Sequence, residues 1–83
     1  MQCKVDSTYA GSQANALEQA ASRFCEAHPG EQWEISGVLV EDGLNLNATD
    51  GKHFLTEKLL RPVLNMPQSI FEALESFRNQ AAT

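Results

Sequence analysis

Between Arg23 and Lys52 the chain carries neither lysine nor arginine, and that gap is its plainest deficit. Six basic residues face eleven acidic ones over 83 residues, a formal net charge of −5. The basic-free stretch holds Glu26, Glu31, Glu34, Glu41, Asp42 and Asp50. A phosphate-binding surface draws most of its affinity from clustered cations that release counterions. This distribution argues against direct nucleic-acid binding. Long hydrophobic runs are missing too: nothing approaches the roughly 18 consecutive apolar residues of a membrane-spanning helix. The segment Met1-Gln2-Cys3-Lys4-Val5-Asp6 has neither the basic start nor the apolar stretch of a secretory signal, so a cytoplasmic location is the expectation.

Cysteine is scarce. Cys3 and Cys25 are too few for a disulfide scaffold, and their spacing matches no metal motif. Cys25 falls on the core side of a helical pattern, so a buried free thiol is expected there, and a Cys3–Cys25 disulfide is disfavoured in a reducing compartment. Proline and glycine are sparse, while 42% hydrophobic and 20% charged residues describe an ordinary folded chain rather than a disordered one. The length allows one domain, residues 1–83, with a thin core that pairing with a partner or a second copy would help.

Two Asp-Gly turns, in Val40-Glu41-Asp42-Gly43-Leu44 and Thr49-Asp50-Gly51-Lys52, are the strongest positive signal. Glycine supplies the left-handed backbone that closes a short hairpin loop. Two such turns in succession predict a three-stranded antiparallel meander. Treating Glu41-Asp42-Gly43 as a three-residue loop sets Val40 opposite Leu44 and Val38 opposite Leu46, with Asn45 and Asn47 pointing away. Trp33 and Ile35 are then out of phase with Val38 and Val40, which predicts a bulge at Ser36-Gly37. The same logic at Thr49-Asp50-Gly51 sets Ala48 opposite Lys52 and Leu46 opposite Phe54. Phe54 thus joins the apolar face, in a third strand over 52–56 that a short helical turn follows before Pro62.

Residues 2–9 alternate as a first strand, which extends the sheet to four strands if it joins. Ser12 is a good helix cap, and Ala14, Leu17, Ala21, Phe24 and Cys25 form a helical stripe that His28-Pro29-Gly30 ends. Asn65-Met66-Pro67-Gln68 opens a second helix, striped by Ile70, Phe71, Leu74 and Phe77. The fold class is therefore α+β, order β-α-β-β-β-α, with both helices on one face of the sheet. The other face, carrying Asn45 and Asn47, is left to solvent or a partner.

The α-β-β-β-α part of this order resembles that of double-stranded RNA-binding domains, over most of the chain. The resemblance implies the shape. In that family a Lys-rich start to the last helix grips phosphates across a groove. Here the helix opens Asn65-Met66-Pro67-Gln68-Ser69 and has no base before Arg78, so the residues that would grip RNA are absent.

Cys25 with His28, joined by Cys3 and His53, has the donor types of a zinc site but not the spacing, and a core-facing thiol is a poor nucleophile. The plainer reading of His28 is an exposed imidazole at a helix C-terminus, where a cation is welcome. Glu31, Glu34, Glu41 and Asp42 are expected on a strand edge and a hairpin tip, where solvent keeps carboxylates ordinary rather than catalytic. Trp33 is either core cover or a binding anchor.

No enzyme signature, cofactor motif or metal set emerges. The expectation is a small, acidic, non-enzymatic protein-binding module (an adaptor, inhibitor or assembly subunit). Its contact residues would be Glu31, Trp33, Glu34, Glu41 and Asp42, steering a basic partner by charge. Two alternatives stand beside it. One is a structural homodimer, formed through an open strand edge at 32–40 or through the bare sheet face. The other is a nucleic-acid mimic that inhibits a DNA-binding protein.

Overall fold

A computed structural model describes residues 3–60 and 66–81. Strands β1 (Cys3–Asp6), β2 (Trp33–Val40), β3 (Gly43–Thr49) and β4 (Phe54–Leu60) form one sheet in the order β1-β2-β3-β4. Helices α1 (Ala14–Ala27) and α2 (Met66–Ala81) complete the order β-α-β-β-β-α, an α+β fold. The meander β2-β3-β4 is antiparallel, whereas β1 runs parallel to β2. Parallel neighbours need a crossover, and α1 provides it. The strand at 32–40 is therefore flanked on both sides, and the open edge expected there is covered by β1.

The helices pack on one face because each presents one apolar stripe and the sheet has one apolar side. Leu17, Ala20, Ala21 and Phe24 of α1 and Ile70, Ala73 and Leu74 of α2 are buried against Trp33, Ile35, Leu44, Leu46 and Ala48. Phe24 meets Trp33 edge-on with ring centroids 5.0 Å apart, and Trp33 meets Phe77 in the same manner at 5.9 Å. Ser12 does not cap α1: it lies in a 3-10 turn, Gly11–Gln13, that leads into the helix without a side-chain cap. The proposed cap Asn65 and the turn around Pro62 lie outside the described residues.

The hairpin register differs from the expected one by a single residue. Val40 opposes Gly43, so only Glu41 and Asp42 form the loop; Leu39 then opposes Leu44, Gly37 opposes Leu46 and Ile35 opposes Ala48. β2 alternates without a bulge: Trp33, Ile35 and Gly37 are buried, and Val38 and Val40 go to the other face. The reason is Leu17. A methyl group on Gly37 would lie 3.2 Å from Leu17 Cδ2 and 3.3 Å from Leu44 Cδ1, so the glycine makes room for α1 rather than a kink. Gly43 likewise serves close approach and not a left-handed turn, since a side chain there would overlap the Leu59 carbonyl.

The next turn is longer than expected. Thr49 opposes Phe54 across the loop 50–53, and Leu46 opposes Glu57 rather than Phe54. The Asp50 carboxylate accepts hydrogen bonds from the Lys52 and His53 amides at 2.9 and 2.8 Å, while Gly51 takes φ +97°. The pairing moves by three residues, an odd number, so β4 turns its other face to the helices. Leu55 and Leu59 face the helices, Phe54 faces out, and the strand continues to Leu60 where a helical turn was expected.

The cysteines are also corrected: Cys3 and Cys25 are joined in a disulfide, their Cα atoms 6.3 Å apart. Register explains it. Cys3 pairs with Trp33 on the helix side of β1, under the last turn of α1. Alternation and helical periodicity, each read alone, place both sulfurs on the same inner layer.

Candidate functional site

The pleat sorts the uncovered side of the sheet into rows. Residues opposed across a sheet share a face, so the pairings align Lys4, Glu34, Thr49 and Phe54 in one row. Asp6, Ser36, Asn47 and Thr56 form the next, followed by Val38, Asn45 and Lys58, and then Val40, Gly43 and Leu60. The middle is hydroxyl and amide, with the Thr56 hydroxyl donating to Asn47 Oδ1 at 3.1 Å. Apolar groups stand at the ends. Phe54 is 77% exposed, Leu60 57% and Val38 39%. A shallow depression of about 400 Å³ crosses the first two rows, between Lys4, Glu34, Asn47, Phe54 and Thr56.

Most residues singled out from the sequence lie elsewhere, and they do not form one patch. Trp33 is 3% exposed on the helix side, so it is core cover and presents no anchor. Its indole N–H donates to Glu31 Oε1 at 3.0 Å. Glu31 also receives Arg78, whose Nε and Nη2 donate to its carboxylate at 3.0 and 2.6 Å. These bonds, Arg78 first and Trp33 next, hold the Glu31 carboxyl down at about 2. The group ties the end of α2 to the loop before β2 and is committed internally. Asp42 pairs with Lys58 across the sheet end at 2.7 Å.

Glu34 and the Glu41-Asp42 turn sit at opposite ends of β2. At about 3.3 Å per strand residue they are some 20 Å apart, so the expected rim joining Glu34 to Glu41-Asp42 does not exist. Glu34 instead belongs to the open face, and its end of the sheet is shared with Asp50. The Asp50 carboxyl is held at about 2, chiefly by the His53 and Lys52 amides that it accepts.

The donor set weighed for zinc is dispersed. Both cysteines are consumed in the disulfide. His28 is not the exposed imidazole expected: it lies edge-on to Phe24 and its Nε2 is 2.6 Å from Glu75 Oε2. His53 sits by Asp50 at the far loop. Among the described residues no group of three or more His, Cys, Asp or Glu side chains converges as a metal site, and no helix is long and apolar enough to cross a membrane.

Sequence reasoning anticipated Asn47 on the uncovered face but missed Phe54 and Thr56 as its companions. The segment Phe54-Leu55-Thr56-Glu57-Lys58-Leu59-Leu60 is apolar at both ends in both phases, so alternation alone cannot orient it. The usable signal was the Asx-type bonding capacity of Asp50, which favours a longer loop and hence the opposite phase. Comparison with protein-family models, with curated proteins and with solved structures finds no match for this chain.

Proposed function

We propose that this protein is a small acidic, non-enzymatic protein-binding module whose contact surface is the uncovered face of the sheet. The observation that supports this is Phe54, a large aromatic ring 77% exposed beside polar side chains already ordered by the strands. Aromatic residues on a rigid surface, ringed by groups that can hydrogen-bond, are what binding centres are made of. Glu34 and Asp6 lie on the same two rows, and the chain carries −5 overall. The partner is accordingly a basic protein that sets an apolar group on Phe54 and a lysine or arginine against Glu34 and Asp6, with charge assisting encounter. The action is steric: blocking or bridging the partner, with no covalent step.

A peptide alternating lysine and leucine is a defined probe of this chemistry. Titrated into isotope-labelled protein, it should shift the amides of residues 4–6, 34–36, 47–49 and 54–56. Phe54→Ser and Glu34→Lys should each weaken binding about tenfold, the scale of a moderate binding centre. Glu72→Lys, on α2, should leave it unchanged. Shifts centred on the helices, or equal affinity in all variants, would overturn the reading. A cytoplasmic site of action, the location expected from the sequence, conflicts with a persistent disulfide. Thiol titration of the protein taken directly from its source cells decides between them: two free thiols support the cytoplasm and none excludes it.

A further inference from the structure

The sheet ends in β4, and no described strand pairs on its outer side. Along that outer edge every second residue of β4 presents an N–H and a C=O to no described strand, a template for another strand, and proteins usually blunt such an edge. We infer that the occupant is a second copy of this chain, β4 pairing antiparallel with β4 about a two-fold axis normal to the sheet. The inference shares Phe54 with the open-face reading, but it concerns the strand edge and a different partner.

The argument is one of register. A two-fold axis normal to the sheet keeps the helix side of one copy continuous with the helix side of the other. Opposed residues must therefore come from the same face, which permits only registers that differ by two residues. Full overlap places Glu57 on the axis, Thr56 opposite the second copy's Lys58, Leu55 opposite its Leu59 and Phe54 opposite its Leu60. The two exposed large hydrophobic residues of β4, Phe54 at 77% and Leu60 at 57%, thus cover each other twice, both on the open side. The half-buried Leu55 and Leu59 do the same on the helix side. Cross-strand apolar pairs of this kind are the unit of sheet stabilisation.

Sliding either way destroys the match. One slip sets Phe54 against Lys58 and Leu55 against Glu57; the other sets Lys58 against itself and Leu59 against Glu57. Only the full-overlap register is self-complementary, and its one blemish is Glu57 facing Glu57. Like charges directly opposite weaken a pair, so the dimer is weak, with the small interface of transient association.

Cysteine placed on the axis tests this directly. Glu57→Cys should cross-link to itself under mild oxidation, with Cys3–Cys25 confirmed intact by mass. Thr56→Cys should not cross-link alone but should do so when mixed with Lys58→Cys. In sedimentation equilibrium, Glu57→Gln should tighten self-association by about twofold to fivefold, the range of one cross-strand pair. Phe54→Ser, which removes two symmetric contacts, should weaken it about tenfold. The inference is overturned if Glu57→Cys cross-links no faster than a Ser36→Cys control in a central strand. It is equally overturned if Glu57→Gln stays monomeric at millimolar concentration, or if a foreign protein strand and not a second copy protects the β4 amides. Glu57 lies on the helix side, outside the basic-peptide contacts, so cross-linking through Glu57→Cys tests the dimer whether or not the peptide binds, while Phe54→Ser is common to both readings and separates neither.

Discussion

Glu31 receives the indole N–H of Trp33 and two donors from Arg78, so a single carboxylate fastens the last helix to the start of β2. Those bonds favour the charged form and hold its carboxyl at about 2 against an ordinary 4.5. A carboxyl depressed on folding contributes stability that is present above the unfolded value and is lost as pH falls through the folded one. The loss therefore falls between about pH 4.5 and pH 2. The pair is about one-third exposed, so solvent screening keeps its contribution small. Glu31→Gln should flatten the acid limb of a urea-denaturation series across that window. Parallel acid limbs in wild type and Glu31→Gln would refute this. Gly43 gives a second test at this scale. Gly43→Ala should cost about 2 kcal/mol or more, because the new methyl meets the Leu59 backbone and not the end of a flexible side chain. A chemical midpoint unchanged by Gly43→Ala would remove the close-approach account.

At the scale of elements, legibility depended on how much redundancy each segment carried. The helix at 14–27 was plain because Leu17, Ala21 and Phe24 repeat a stripe over two turns, and His28-Pro29-Gly30 closes it. The meander was plain because two turns and Leu44-Asn45-Leu46-Asn47-Ala48 fix the middle strand's faces independently. Its neighbours were misread, the β2 pairing by one residue and the β4 pairing by three, for the same reason that turns are hard: loop length decides the phase of the following strand. β2 has competing apolar sets, Trp33 and Ile35 against Val38 and Val40, and only the position of Leu17 on α1 decides between them. No local pattern contains that contact. Gly37→Ala puts this to the test. With Leu17 at 3.2 Å it should lower stability by about 1–2 kcal/mol, and adding Leu17→Ala should relieve part of that cost. Simple additivity in the double mutant would show that Gly37 does not answer to Leu17. The candidate site suffered from the same phase error, since Phe54 was assigned to the core by an expected loop too short by at least one residue.

At the scale of the whole molecule, a thin core is supplemented by a covalent tie. The Cys3–Cys25 bridge spans 22 residues and joins the outermost strand to the crossover helix. Closing a loop of that size restricts the unfolded chain and is worth about 3 kcal/mol. Replacing both cysteines by serine should lower stability by about that amount in thermal or urea unfolding, with the meander and both helices retained by circular dichroism. A loss below about 1 kcal/mol would mean that the bridge contributes little. The acids, by contrast, act on the molecule as a whole and not as a patch. They are divided between the two sheet ends and the helix surfaces, and several are committed to Arg78, Lys58 or backbone amides.

The parallel placement of β1 has a kinetic corollary. The meander closes through short-range turns, but β1 reaches β2 only after the whole crossover is laid down, so its pairing has the highest loop-closure cost in the sheet. Amide protons of Lys4, Val5 and Asp6 should consequently exchange with solvent through a local opening far below the energy of global unfolding. Reducing the bridge should accelerate that exchange without accelerating exchange at Leu44, Leu46 or Ala48. The molecule would then report the redox state of its surroundings in the lifetime of four residues at one margin, while its interior stays closed.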